Sequence, residues 1–372
     1  MHSIFAKEVT FKWYLFVPVF LLFFSYVFGV AVELLGGYQL LVRVSALAFC
    51  VVCSVLLRVS FSFQSCLLLV FFLIYTFALY TFNGGSVVLN FIYLAFILFY
   101  FYSLGVNRED LLFHLVIATY SVVFLYFIYL MVGGVSFEPV TIGERTRYYF
   151  GFTNPNKVGI VAYSLILLSV LFFIGRNRVL PLLICVPFVV IALYSGSRTA
   201  VYALILFVGM AGFSYFFSFR RIICFVPVIF LMGSFYVATL SENSVVNFIL
   251  SNRPIDYYAF VSSLDVYDFI LGASSDGYRV DNSFILAYFA VGPLGILLFF
   301  VLMLRLPRNY FTGLELSFMF SIMAYGLMEG ILVRVEFPIV IYFYYLIIGR
   351  GEIMVRPKSC WNWFCVAVRR PL

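Results

Sequence analysis

The sequence predicts an all-α polytopic membrane protein with about twelve transmembrane helices, from its composition and from the spacing of its apolar stretches. Of the 372 residues, 65% are hydrophobic and 10% are charged, and the mean hydropathy is +1.11. Since a soluble domain is about half apolar and a quarter charged, this composition excludes a soluble globular enzyme, a disordered protein and a nucleic-acid-binding protein. Twelve helices of about 20 residues each would use about 240 residues, so little chain remains for a separate soluble domain.

Apolar segments follow one another along almost the whole chain. The first, Trp13 to Leu35, is long enough to span a bilayer and lacks a small-residue cleavage pattern after it, so it is predicted to remain as an anchor. Further spans are predicted near 38–57, 63–82, 87–105, 111–133, 157–175, 179–195, 199–218, 222–240, 283–304, 312–332 and 337–349. Residues 1–372 are therefore expected to form a single integral membrane domain.

The distribution of positive charge predicts the orientation. Fifteen Lys and Arg residues fall on the side of the N-terminus and eight on the other, together the 23 of the chain. Because short cytoplasmic loops carry the excess of Lys and Arg, both termini are predicted to be cytoplasmic, with a tail at 350–372. Two connections on the opposite side, 134–156 and 241–282, are long, and long loops in compact proteins usually carry function. The working face is thus predicted to be extracytoplasmic.

With this orientation, every even-numbered helix begins at the outer face, where its unpaired N–H groups and positive dipole end point outward. At the sixth helix, Asn154 is predicted to be the N-cap and Pro155 the first helical residue, followed by Asn156 and Lys157. Such a helix start binds anions readily.

The eighth helix is predicted to begin after Gly196, with Ser197 as its N-cap and Arg198 in its first turn. A cation at that place costs about 0.3–1 kcal/mol, which a nearby anion would reverse. The sequence favours a specific anionic ligand for Arg198 over simple contact with lipid phosphate.

At the start of the tenth helix, Asp281 or Asn282 is predicted to be the N-cap. The cap role alone explains the acid, and a second interpretation makes Asp281 a proton acceptor at the membrane surface. Asp281 is preceded by Arg279 in the second long loop, whose six acidic residues exceed its two arginines. Such an acidic loop suits a hydroxyl-rich ligand better than a nucleic acid.

Three further groups of charged residues are predicted at the outer face. Arg145, Arg147 and Tyr148 combine guanidinium forks with an aromatic ring, which is typical of phosphate and sugar binding, and equally of a solvated charge cluster at the membrane edge. Asp265 and Asp268 are better explained by solvation than by a metal ion. Three charged residues flank the last outer turn and are expected to pair among themselves: Glu329, Arg334 and Glu336.

The order and spacing of three motifs resemble the O-antigen and capsular polysaccharide polymerase family, Wzy-type proteins that are related in fold to O-antigen ligases. The motifs open the sixth, eighth and tenth spans: 151–159 (GFTNPNKVG), 195–200 (SGSRTA) and 281–284 (DNSF), the last followed by Gly292 and Gly295. The similarity covers about residues 145–300. The earlier spans match only in being hydrophobic.

The resemblance implies a GT-C-like glycosyltransferase of the bacterial cytoplasmic membrane that acts on undecaprenyl-diphosphate-linked oligosaccharides without nucleotide, metal or other cofactor. A chain-length regulator is the further partner it implies. Arg198 matches the diphosphate-contacting arginine, and Asp281, which stands where ligases typically carry a His, is the preferred proton acceptor. The substrate-binding residues expected on this basis are Arg145, Arg147, Tyr148, Asn154, Asn156, Lys157, Ser197, Arg279 and Asn282.

Two other functions fit the same composition. A flippase or permease for lipid-linked sugars would have the same span count, although transporters usually carry charges or broken helices near the bilayer midplane. A ligase would join finished glycan to another acceptor.

Overall fold

The computed structural model describes residues 10–59, 63–83, 85–133, 139–142, 145–174, 176, 179–216, 222–250, 252–304 and 311–348. These residues form an all-α membrane protein of packed apolar helices, so the predicted fold class is confirmed at this level. The tail predicted at 350–372 lies outside the described residues, as do 134–138 and 143–144 of the first long loop.

The apolar helices coincide, in chain order, with the apolar segments of the sequence. Their bounds are α1 Trp13–Phe24 with a π-helical continuation at Ser25–Ala31, α2 Gln39–Leu56 after a 3-10 turn at Gly36–Tyr38, α3 Phe63–Asn83, α4 Ser86–Ser103, α5 Arg108–Gly133, α6 Pro155–Phe173, α7 Val179–Tyr194, α8 Arg198–Phe216, α9 Val226–Thr239, α13 Ser283–Leu304, α14 Gly313–Met328 and α15 Pro338–Ile348.

Five of these helices are long and apolar enough to cross a membrane. They are Trp13–Ala31, Gly36–Leu56, Arg108–Gly133, Pro155–Phe173 and Ser283–Leu304. The other apolar helices of the described chain have 10–17 residues in their apolar parts, whereas a straight crossing takes about 20. The membrane character of the protein is therefore shown, and the number of twelve spans stays a prediction.

The second long loop, 241–282, contains three short helices: α10 Ser244–Ile249, α11 Arg253–Ser262 and α12 Val266–Leu271. Asp265 caps α12 in a capping box, because its side chain accepts from the Asp268 N–H while the Asp268 side chain accepts from the Asp265 N–H, both at 2.9 Å. The cap gives these two carboxylates a structural role.

The first long loop, 134–156, contains a β-hairpin that the sequence analysis did not predict. Strands β1 Pro139–Ile142 and β2 Arg145–Tyr148 pair antiparallel, with Pro139 opposite Tyr148. Hairpins of four-residue strands carry a weak sequence signal, and this one lies next to apolar segments whose signal is much stronger.

Burial separates central from peripheral helices. In the most apolar stretch of α6, 72% of the residues are buried, whereas in that of Gly36–Leu56 only 17% are buried. Every residue of α15 from Pro338 to Ile347 is buried. The centre of the bundle therefore contains α6 and α15, and α2 presents apolar side chains outward, as a lipid-facing helix does.

Helix α13 is kinked where its sequence reads Gly292–Pro293. Gly292 has φ +64°, a conformation that favours glycine, and Pro293 has no N–H to continue the hydrogen-bond ladder. The hydroxyl of Tyr75 donates to the carbonyl oxygen of Val291 at 2.7 Å, so this carbonyl is satisfied by α3 within the apolar region.

Ion pairs lie at two opposite ends of the bundle. At one end, Lys12, Arg108 and Arg176 pair with Asp110, Glu315 and Glu109, respectively. At the other end, which we call the site end, Arg43, Lys157, Arg253 and Arg279 pair with Glu336, Glu33, Glu329 and Asp281, respectively. Since Arg43 lies near the start of α2, Lys157 at the start of α6 and Asp281 just before α13, these three helix starts share the site end.

Candidate functional site

The start of α6 is capped as predicted. The side-chain oxygen of Asn154 accepts from the Asn156 N–H at 2.8 Å, and Pro155 is the first helical residue. The two asparagines have different tasks, because the Asn156 amide nitrogen donates to Oε1 of Glu329 at 2.9 Å. Asn154 therefore fixes the helix start, and Asn156 connects it to an acidic side chain.

Lys157 attaches α6 to the end of α1. Its ammonium donates to the carbonyl oxygen of Val30 at 2.7 Å and to the hydroxyl of Thr153 at 2.6 Å, and it lies 4.0 Å from the carboxylate of Glu33. These contacts give Lys157 a structural task, and its predicted role in substrate binding stays a prediction.

The turn between α7 and α8 follows the predicted pattern in its backbone. Gly196 has φ +66° and ends α7, Ser197 follows, and Arg198 is the first residue of α8 with an exposed side chain. The Ser197 hydroxyl is buried beside that of Tyr325 and has no aligned hydrogen bond to any described residue. Ser197 thus occupies the N-cap position without making a side-chain cap bond.

The starts of α6 and α8 touch each other. A Cβ atom placed on Gly159 of α6 would lie 2.3 Å from both Cβ and Oγ of Ser197 and 3.3 Å from Cβ of Ala200. Only a glycine permits this approach, so the first and second motifs of the sequence meet in space.

At the start of α13, the structure distinguishes between the two predicted caps. Asn282 is the N-cap, because its side-chain oxygen accepts from the N–H groups of Phe284 at 2.9 Å and Ile285 at 3.1 Å. Its amide nitrogen donates to Ser234 Oγ and to the Leu327 carbonyl oxygen, both at 2.9 Å. All hydrogen-bonding groups of the Asn282 side chain therefore stabilise the fold.

Asp281 is not the cap. Its carboxylate lies 3.7 Å from Nε of Arg279, with 37% of the Asp281 side chain and 68% of the Arg279 side chain exposed. Both charges are open to solvent at the site end, where an exposed ion pair contributes little to stability.

The hairpin lies against the α7–α8 turn. A Cβ on Gly196 would lie 3.2 Å from Cγ of Arg147, and the ring of Tyr148 makes an edge contact with Tyr194 at 5.6 Å between centroids. The backbone of Arg145 lies in β2, and its side chain is outside the described residues. The predicted Arg147 and Tyr148 are thus brought to the second motif.

Glu329 connects most of these groups, although no motif in the sequence marks it. It follows the last residue of α14, outside the membrane-spanning helices, and its Oε1 accepts from Asn156 and, also at 2.9 Å, from the Arg253 guanidinium. Its backbone carbonyl accepts from the Ser283 hydroxyl at 2.7 Å. Glu329 therefore joins the first motif, the third motif and helix α11.

Burial gives this carboxyl an unusual acidity. Removal from water raises the pKa of Glu329 to about 7, the nearby Asp281 carboxylate adds to the rise, and the guanidinium groups of Arg253, Arg334 and Arg279 oppose it. An acid with such a pKa exchanges protons near neutral pH, which is a property of catalytic carboxyl groups.

The prediction that Glu329, Arg334 and Glu336 pair with one another is wrong. Glu329 pairs with Arg253, and Glu336 pairs with Arg43 of α2 at 2.5 Å. Arg334 has no carboxylate within 4.0 Å among the described residues, although its charge acts on Glu329 and on Lys157. Arg334 is thus a cation at the site end that no described acid neutralises directly.

Buried hydroxyl groups lie close to Glu329 as well, because its charge acts on the phenols of Tyr257 and Tyr325, and Ser197 lies beside Tyr325. Within the described part of the chain, the hydroxyls of Ser197, Tyr257 and Tyr325 are buried and have no aligned hydrogen-bond partner. Burial raises the pKa of the Tyr257 phenol in α11, so Tyr257 stays protonated and able to donate. Because a buried polar group without a partner costs about 1–3 kcal/mol, these hydroxyls are suited to bind water or a polar ligand.

The arrangement combines a carboxyl that titrates near neutral pH with guanidinium groups and helix starts that favour an anion. One signal in the sequence could have identified Glu329, namely that it is an acid directly after the apolar stretch that forms α14. Nothing local in the sequence identified Arg253 or Tyr257 as its neighbours.

No protein-family model, curated protein or solved structure matches this chain.

Proposed function

We propose that this protein is a glycosyltransferase that polymerises undecaprenyl-diphosphate-linked oligosaccharide repeat units into a surface polysaccharide. In this proposal it acts at the extracytoplasmic face of the bacterial cytoplasmic membrane, with twelve spans and both termini in the cytoplasm. A chain-length regulator is a proposed partner.

One observation carries the proposal: the helix starts that contain the three motifs converge at the site end. Gly159 of α6 contacts Ser197, which precedes α8, and Asn156 and Ser283 both bind Glu329. The first and third motifs, which are more than 120 residues apart along the chain, thus both contact Glu329, and the second motif contacts the first. The location of all three motifs at the site end is consistent with one shared binding site.

The chemistry of the reaction matches these groups. A lipid-linked sugar leaves a diphosphate behind when its glycosidic bond breaks, and negative charge grows on that leaving group. Arg198, Arg147 and Arg334 with the N–H groups of the helix starts stabilise this charge where it develops. A carboxylate accepts the proton of the attacking sugar hydroxyl. Direct displacement with inversion requires no further group.

Deletion and complementation test the function. The chromosomal copy is deleted in the host bacterium, and lipid-linked glycans are separated on gels with and without the plasmid-borne chain. Loss of a polymerase leaves single repeat units at the outer face, loss of a ligase leaves unattached polymer, and loss of a flippase leaves units inside. The second and third patterns refute the proposal.

Arginine variants connect this test to the site. Arg198→Ala is expected to abolish long polymer, because the variant lacks a cation at the start of α8. Arg58→Ala is the matched control, since Arg58 is an exposed arginine just after α2, at the opposite end of that helix from Arg43. Long polymer from Arg198→Ala at wild-type protein levels contradicts the assignment of Arg198.

A further inference from the structure

We infer that Glu329 is the catalytic base of this transferase, the group that takes the proton from the attacking sugar hydroxyl. The inference rests on the proposed function and replaces Asp281 in that role. It comes from the way the two oxygens of one carboxyl group are used at the site end.

Two donors fix the orientation of the Glu329 carboxyl. Oε1 accepts from the Asn156 amide and from the Arg253 guanidinium, each at 2.9 Å. Both donors come from well-anchored elements, the capped first turn of α6 and the first turn of α11. A carboxyl held by two hydrogen bonds on one oxygen keeps the other oxygen in a constant direction.

The second oxygen, Oε2, is available. No described residue donates a hydrogen bond to Oε2, and this oxygen is not fully buried. It therefore remains accessible, although the Glu329 side chain as a whole is only 14% exposed. An oriented, mostly desolvated carboxyl with one accessible oxygen has the geometry that a general base needs.

Asp281 lacks these features. Its side chain is 37% exposed, and it lies 3.7 Å from Nε of Arg279. A carboxylate that is this exposed is hydrated by bulk water and is not held in one orientation, as a positioned general base must be. The electrostatic effect of Asp281 is instead to raise the pKa of Glu329.

The charged and titratable groups near Glu329 come from several elements. They are Tyr26 of the π-helical continuation of α1, Arg253 and Tyr257 of α11, Arg279 and Asp281 before α13, Tyr325 of α14, and Arg334 of the connection between α14 and α15. With burial as the largest effect, they leave the pKa of Glu329 at about 7. The fraction of molecules in which Glu329 is ionised, and so able to act as a base, therefore increases as the pH rises through this value.

The reaction balances without any further reactant. The acceptor hydroxyl gives its proton to Oε2 while its oxygen forms a bond to the anomeric carbon of the donor sugar. The bond between that carbon and the phosphate oxygen breaks, and undecaprenyl diphosphate leaves with the electron pair. The proton on Glu329 then passes to water, which returns the carboxylate.

The test uses the full-length protein, purified and reconstituted in lipid nanodiscs. The substrate is the lipid extract of the deletion strain, which contains the accumulated lipid-linked repeat units. We expect Glu329→Gln to lower kcat by about 10²–10⁴-fold with little change in KM, and Glu329→Asp to recover part of the rate. Glu242→Gln, at an exposed acid of the second long loop, is the control that keeps the wild-type rate.

The pH dependence provides a second readout that needs no variant. For the wild-type protein, kcat/KM should rise about tenfold per pH unit below the pKa and level off above about pH 7. Asp281→Asn should move this midpoint to lower pH, because it removes a negative charge that raises the pKa of Glu329, and it should not abolish turnover.

The outcomes separate the inference from the proposed function. If the wild-type protein elongates the extract but Glu329→Gln does so at the wild-type rate, or if the pH profile is flat between about pH 5.5 and 8.5, Glu329 is not the base and the polymerase remains. If turnover is lost in Asp281→Asn and retained in Glu329→Gln, Asp281 is the base. If the wild-type protein elongates nothing and the deletion strain still makes polymer, the proposed function fails first.

Discussion

The contact between α6 and α8 can be tested with a single methyl group. In Gly159→Ala the new Cβ would lie 2.3 Å from Cβ and Oγ of Ser197. Carbon atoms that are not bonded pack best at about 3.5–4.0 Å, so the overlap exceeds about 1 Å. Ser197 and Ala200 are both buried, and neither side chain has a long flexible end that can move away. The two helix starts must separate.

Overpacking of this kind costs about 1–3 kcal/mol. We therefore expect Gly159→Ala to lower the Tm of the purified protein in detergent by a few degrees, at about 2–4 °C per kcal/mol. The matched control is Gly209→Ala in α8, where a Cβ meets no atom within 4 Å. Alanine in an open helical position stabilises by about 0.5–1 kcal/mol relative to glycine, so the control should keep or raise the Tm.

A compensating change identifies the cause. Ser197→Gly removes both atoms that the Gly159→Ala methyl would overlap, so the double variant should recover most of the lost stability. Two results would mean that α6 and α8 do not meet as described: a Gly159→Ala protein with the same Tm as the Gly209→Ala control, or a double variant that is no more stable than Gly159→Ala.

Three further predictions follow from named contacts. Asn282→Ala should lower the unfolding free energy by about 1 kcal/mol or more, since it removes the cap of α13; an unchanged Tm would contradict this. Arg43→Met should destabilise by about 3–5 kcal/mol because it leaves a buried carboxylate unpaired, and Glu336→Gln in the same protein should restore stability. Arg253→Gln should move the midpoint of the Glu329 pH profile upward by about one to two units, because a hydrogen bond to a charged group contributes about 1.5–3 kcal/mol; a midpoint at the wild-type pH would exclude the ion pair from this role.

Local features were predictable because their causes are local. Asn154 and Asn282 were placed at helix starts by the preference of asparagine for the N-cap, and both side chains accept from backbone N–H groups two residues further on. Gly196 was placed at a helix end for its access to positive φ, and it has φ +66°. Hydropathy located the apolar helices for a similarly local reason, because a helix satisfies its backbone hydrogen bonds within its own apolar segment.

The partners of the charged residues were not predictable from neighbours in the sequence. Glu329 and Arg334 are close along the chain, yet Glu329 binds Asn156 and Arg253, which are 173 and 76 residues away. The turn between α14 and α15 points its side chains in different directions, so proximity in sequence is a poor guide there. Distant pairs become visible only when the helices are packed.

The ion pairs at the helix ends determine which helix starts lie at the same end of the bundle. Lys12 before α1 pairs with Asp110 of α5, and the start of α5 also contacts Glu315 of α14. Since those starts lie at one end and the starts of α6, α8 and α13 lie at the other, the three motifs lie on the same side of the membrane. One measurement therefore locates all of them: a cysteine placed at exposed Arg279 will react with an impermeant thiol reagent in intact cells if the site end faces outward. The same cysteine will be protected if it faces the cytoplasm, where the lipid-linked donor is not presented in the proposed reaction.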